Sequence, residues 1–132
     1  MIEVIEHTAD IRLRVTARTR EDLFREAVRG TIALLHPEKG ERKVERDVNV
    51  VAGDPTVLLI DFLNEALSNA HAYREAYDDV VFSSLTPTHA TARLVGAEAI
   101  AFGADVKAVT YHEAEVRQNA NGEWCTVIVY DI

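Results

Sequence analysis

The sequence predicts an α+β fold, with two helices packed on one face of a mainly antiparallel β-sheet in a single domain over residues 1–132. Three observations carry this. Two segments repeat their apolar residues at helical spacing, and most other apolar segments alternate with period two. The strands flank and follow the helices without the regular alternation of a parallel sheet. A chain of 132 residues fits one domain and can bury about two-thirds of its unfolded surface, so its core needs no disulfide or metal.

Taken in order, Ile11, Leu13, Val15 and Ala17 alternate with Arg12, Arg14 and Thr16, a half-buried strand. Thr19 is placed to cap a helix, with Glu21 and Asp22 in its first turn. Leu23, Ala27, Ile32 and Leu35 set its stripe, widened by Phe24, Val28 and Leu34, and Pro37 ends it at or before His36. The second helix opens with Asp54 as cap and Pro55 at the first helical position. Leu59, Phe62, Leu63, Ala66, Leu67 and Ala70 form its stripe. Val57, Leu58 and Ile60 make its first turns apolar nearly all round, as in a sandwiched helix end.

Strands are expected at Asp47–Ala52, Asp79–Leu85 and Thr88–Gly96, with Ala97–Phe102 a weaker candidate. Val106–Arg117 and Trp124–Asp131 read as a final hairpin, because Asn119-Ala120-Asn121-Gly122 between them ends in a strong turn signal.

Charge narrows the function classes. There are 22 acidic and 14 basic residues, a net of −8. Strong nucleic-acid binding needs clustered Lys and Arg. The densest basic stretch, Lys39–Arg46, is interrupted by Glu41 and Glu45 and reads as a solvated mixed-charge loop, so no strong direct nucleic-acid binding is expected. No apolar run approaches the roughly 20 residues that cross a bilayer, and the Met1–Glu6 opening lacks signal-peptide features, so a cytoplasmic location and no membrane partner are expected. Cys125 is the only cysteine, which fits a reducing compartment, and its strand context suggests a buried structural thiol.

Phosphate-loop and dinucleotide fingerprints are absent. His112-Glu113 begins a zinc-protease pattern that Val116 breaks. Three features remain. His7-Thr8-Ala9-Asp10 precedes the first strand, where the plainer reading is a turn capped by Asp10 or Thr8. Lys107-Ala108-Val109-Thr110-Tyr111-His112 puts Lys107, Val109 and Tyr111 on one strand face and Ala108, Thr110 and His112 on the other. A solvated lysine and a sheet-bonded histidine are the bland readings there. Lastly, Tyr130-Asp131-Ile132 follows an apolar strand, and the Ile132 α-carboxylate would stand beside the Asp131 side chain. Two such carboxylates repel unless a proton or cation lies between them. With Asp10 they would make three hard oxygen donors, suited to Ca²⁺ or Mg²⁺.

Together, the HTAD opening, the helix carrying Leu58-Leu59 and Phe62-Leu63-Asn64-Glu65, the VKAVTYH segment and the terminal YDI resemble the archease family, in order from Ile5 to Ile132. The resemblance implies a small α+β accessory protein, not an enzyme, that activates an RtcB-type RNA ligase in tRNA splicing and RNA repair. It would do so by promoting ligase guanylylation and multiple turnover. It implies a divalent cation, Ca²⁺ or another, held by Asp10, Asp131 and Ile132, and functional roles for Asp10, Lys107 and Asp131. His7 and His112 are the candidates to support those donors. Chaperone-like support of a tRNA methyltransferase is a second implication, and a small metal-dependent hydrolase built on Asp10, His112 and the terminal carboxylates a third reading. One departure stands out. Many archeases carry a longer loop before VKAVTYH, whereas Gly96–Asp105 is short and lacks a Lys-His pair.

Overall fold

The computed structural model describes residues 1–6 and 10–132. In chain order they form β1 (Ile2–Glu6), β2 (Ile11–Ala17), α1 (Arg20–Ala33), β3 (Pro37–Val51), α2 (Pro55–Tyr73), β4 (Glu75–Leu85), β5 (His89–Phe102), β6 (Ala108–Thr110), β7 (Arg117–Gln118) and β8 (Trp124–Asp131). The class is α+β, and the expected antiparallel strands divide into two sheets. One has the order β1-β2-β8-β6, with β7 also on β8; the other is β3-β5-β4. Among the described residues the sheets meet chiefly through the helices: α1 packs on β2 and β4, and α2 on β3, β4 and β6.

Both helices start where the caps predict. Thr19 Oγ1 accepts from the Asp22 N–H at 3.1 Å, and Asp54 Oδ1 from the Val57 N–H at 2.9 Å, each satisfying a donor that the first turn leaves free. The predicted stripes are the core. Leu23, Ala27, Leu35, Leu59, Phe62, Leu63 and Ala66 are all sealed from solvent, as are Leu58 and Ile60 at the sandwiched start of α2. Phe24, Phe62 and Phe82 join α1, α2 and β4, with ring centroids 5.6, 6.0 and 5.8 Å apart.

Several boundaries differ from expectation. Strand β1 was not anticipated; it pairs with β2 from Ile2↔Val15 to Glu6↔Ile11. Lys39–Arg46 is not a loop but part of β3, whose inward positions are Val44, Arg46 and Val48. Arg46 hides the alternation by taking an inward position as an ion: it pairs with Glu75 and lies 3.7 Å over the Tyr73 ring. Ala97–Phe102 continues β5 without a break, so most of the segment before VKAVTYH is strand and not loop. The Val106–Arg117 strand is interrupted: only Ala108–Thr110 and Arg117–Gln118 pair with β8, and Tyr111–Val116 bows out. The bow turns at Glu113 (φ 59), and Thr56 Oγ1 accepts from the Val116 N–H at 2.9 Å to hold its far end. The 119–122 turn does join the last two strands, with Gly122 at φ 78. Cys125 is half-buried, because Thr126, Ile128 and Tyr130 take the inward positions of β8.

Candidate functional site

The start of β2, the start of β6 and the end of β8 meet at one rim of the first sheet. The register sets Tyr130 between Ile11 and Val109, and pairs Asp131 with Ala108. One step beyond the Ile11↔Tyr130 pair stand Asp10 and Asp131, on neighbouring strand ends. Opposed residues of an antiparallel pair share a face. Ile128 and Tyr130 are sealed inward, so Asp131 and Asp10 belong to the outer face.

A buried bond anchors this rim. Thr31 Oγ1 on α1 donates to the Ala27 carbonyl at 2.8 Å, so its single proton is committed and the Tyr130 hydroxyl donates to Thr31 at 2.7 Å. Burial pushes the Tyr130 phenol well above its usual pKa, against an opposing pull from Thr31, so it remains a donor. The residue before Asp131 is thereby tied to α1.

Asp10 is one-quarter exposed, and Arg12 Nε lies 3.5 Å from its Oδ1. Among the described residues, these two buried atoms complete no hydrogen bond. The other end of the Arg12 guanidinium reaches Glu113 in the 111–116 bow. A carboxylate oxygen short of a partner suits a hard cation, and the oxygen donor set fits Ca²⁺ or Mg²⁺. A cation there must displace or share Arg12. No cluster of three His, Cys, Asp or Glu side chains suited to a metal occurs among the described residues. The expected set contains only two such side chains, Asp10 and Asp131, its third donor being the Ile132 main-chain carboxylate.

Lys107 sits beside this cluster. Its N–H donates to the Asp131 carbonyl at 2.8 Å. Lys107 also lines a shallow groove of about 630 Å³ with Asn64, Leu67, Ser68, His71 and Ala72 of α2. The rim therefore gathers Asp10, Lys107 and Asp131, with the carboxylates on the outer face and the lysine toward α2. Tyr111 is exposed, and its hydroxyl donates to Asp61, which holds the phenol above its usual pKa with a lesser contribution from burial. His112 lies two residues past β6 and is exposed, and its own N–H donates to Thr110 Oγ1 at 3.3 Å. Among the described residues its ring makes no bond within the sheet. His7 lies outside the described residues. Arg12 and Asn64 were not foreseen. For Asn64 a signal existed: a polar, weak helix former set among Phe62, Leu63, Ala66 and Leu67.

Fold and rim define a small α+β protein that presents two carboxylates and a lysine at adjoining strand ends. Residues 2–132 match the Archease protein family (MTH1598/TM1083). Protein archease of Pyrococcus furiosus is 31% identical over 144 aligned positions, covering 98% of this chain and 97% of the relative. That of Methanosarcina barkeri is 28% identical, covering 98% and 94%. The crystal structure of a Thermotoga maritima archease, described as a possible chaperone, superposes with a TM-score of 0.73 at 19% identity, covering 100% and 98% of the two chains. The solution structure of Methanobacterium thermoautotrophicum protein 1598 gives 0.76 at 22% identity, covering 99% and 98%. The chain belongs to the archease family, and membership supports an accessory role.

Proposed function

We propose that this protein activates an RtcB-type RNA ligase, promoting the ligase's guanylylation and repeated turnover in tRNA splicing and RNA repair. The observation that supports this best is the meeting of Asp10, Lys107 and Asp131 at the ends of β2, β6 and β8 in a chain of the archease family. Asp10, Asp131 and the carboxylate expected of Ile132 would hold a divalent cation, Ca²⁺ or another. Bound, it would supply a fixed positive charge at the rim. Arg12, 3.5 Å from Asp10 without a completed hydrogen bond, would balance its charge until a cation displaces or shares it. Lys107 presents an ammonium group that can orient nucleotide phosphates at the mouth of the ligase, where positioning and charge stabilisation do most of the work of phosphoryl transfer. The net charge of −8 suits a partner with a basic RNA-binding surface, since opposite potentials steer encounter.

The test is single-turnover guanylylation of a cognate ligase with GTP, with and without this protein. Wild type is expected to accelerate the step, and Asp10→Ala and Asp131→Ala to fail, with Ca²⁺ binding heat lost in parallel. Full stimulation by both variants would refute the role of the carboxylates. A second reading, chaperone-like support of a tRNA methyltransferase, draws on the description of the Thermotoga maritima structure as a possible chaperone. It gains weight if folded wild type leaves guanylylation unchanged yet suppresses methyltransferase aggregation.

A further inference from the structure

Strand β6 is only three residues long and pairs with β8 along one edge. A strand this short carries too few bonds to hold its own place, yet it adjoins Lys107. Along its other edge runs α2, and the two are joined by side chains in reversed order. His71 Nε2 lies 3.3 Å from the Val106 carbonyl; Asn64 meets Val109; Asp61 accepts from the Tyr111 hydroxyl. Asp61, Asn64, Ser68 and His71 recur three and four residues apart, which is one stripe of a helix.

Asn64 stands apart within this row. Its Nδ2 donates to the Val109 carbonyl at 2.8 Å, and its Oδ1 accepts from the Val109 N–H at 2.9 Å. A carboxamide carries the same donor and acceptor as a peptide unit, so Asn64 serves β6 as a neighbouring strand would. Val109 itself is 3% exposed, where unpaired main-chain groups are costly. Neither Leu, which lacks both groups, nor Asp, which lacks the donor, can reproduce this pair.

We propose that Asn64 is a positioning residue that fixes β6 from the α2 side and so sets where Lys107 stands relative to Asp131. The claim that this matters for activation rests on the ligase reading above; the claim that Asn64 orders Lys107 does not.

The experiment compares wild type, Asn64→Leu, Lys107→Ala and the double variant, each shown folded by its denaturation midpoint and slope. Asn64→Asp, which retains the acceptor for the Val109 N–H, serves if Asn64→Leu does not fold. Amide hydrogen exchange is read first. Faster exchange is expected at Val109 and also at Lys107, whose N–H bonds Asp131; unchanged protection at Lys107 overturns the proposal without any ligase present. In the guanylylation assay, the maximal stimulated rate should fall about 10- to 100-fold, as for a misplacement of the order of 1 Å, with the half-maximal protein concentration unchanged. In the Lys107→Ala background Asn64→Leu should cause no further loss. Equal losses in both backgrounds would assign Asn64 a merely structural role. A wild type without effect on the ligase would sink the ligase reading while leaving the exchange result to decide the clamp.

Discussion

Glu75 keeps a charge at 2% exposure because three hydrogen bonds converge on it. Arg46 donates two, at 3.0 and 2.8 Å, and the Tyr77 hydroxyl a third, at 2.7 Å. Burial works to raise the Glu75 pKa, but the bonds from Arg46 and Tyr77 and the Arg46 charge outweigh it, leaving the pKa below its ordinary 4.5. The folded value is depressed, so the pair stabilises the protein fully above about pH 4.5, and that contribution is lost as pH falls through the folded value. Glu75→Gln is expected to cost about 2 kcal/mol at pH 7, less than a fully buried pair because Arg46 reaches solvent. Urea titrations should show the gap from wild type closing on acidification; a gap that widened would contradict this account. Neither residue was readable beforehand, since Arg46 looks like one charge in a solvated run. The same applies at the rim. Asp10, Lys107 and Asp131 stand out in the sequence as candidates through their motifs, and the register brings their strand ends together, whereas Arg12 to Glu113 and Asn64 to Val109 join positions 101 and 45 residues apart and leave no local pattern.

At the scale of elements, two glycines show how closely packed partners set the cost of a methyl group. A Cβ at Gly96 on β5 would lie 2.0 Å from the Ala76 carbonyl oxygen and 2.8 Å from Tyr77 Cα, both main-chain atoms of β4. They cannot yield without breaking the β4–β5 ladder beside its irregularity at Tyr77/Asp79. At Gly30 the nearest atom is Leu13 Cδ2 at 2.4 Å, the end of a side chain that can rotate, and a helical alanine recovers some backbone entropy. Gly96→Ala is therefore expected to lose about 3 kcal/mol or more and Gly30→Ala about 1 kcal/mol or less, read from denaturant midpoints at constant slope. Equal losses would mean that β4 shifts as readily as Leu13. Gly96 also explains why β5 was read as ending there: a glycine inside a strand looks like punctuation, although this one admits a neighbouring backbone. Elements with local chemistry were legible, as the Thr19 and Asp54 caps and both helical stripes show. What escaped was specified from a distance: β1 as a whole, and the part of β3 before the expected Asp47–Ala52 strand. β1 is ordered by β2, and β3 combines an exposed charged face with an inward Arg46.

For the whole molecule, the division into two sheets depends on the helices. Periodicity tells which side of a strand is apolar but not which strands share a sheet, so a single sheet and two sheets look alike in the sequence. Since α1 and α2 each touch both sheets, and the sheets themselves scarcely meet among the described residues, removing helix packing should loosen both together. Phe62 is the clearest place to test this. It is sealed from solvent and packs against Phe24 of α1 and Phe82 of β4. Phe62→Ala should cost about 3–5 kcal/mol. Amide exchange then distinguishes two architectures. If the helices make one cooperative unit, the opening free energy at Leu13 and Ile128 in the first sheet should fall as far as at Val80 and Leu94 in the second. If protection drops only at Val80 and Leu94, the first sheet and its rim form an independent unit with α1. In that case loosening the second sheet would leave the Asp10–Asp131 rim intact, because Tyr130 and Thr31 would still hold β8 to α1.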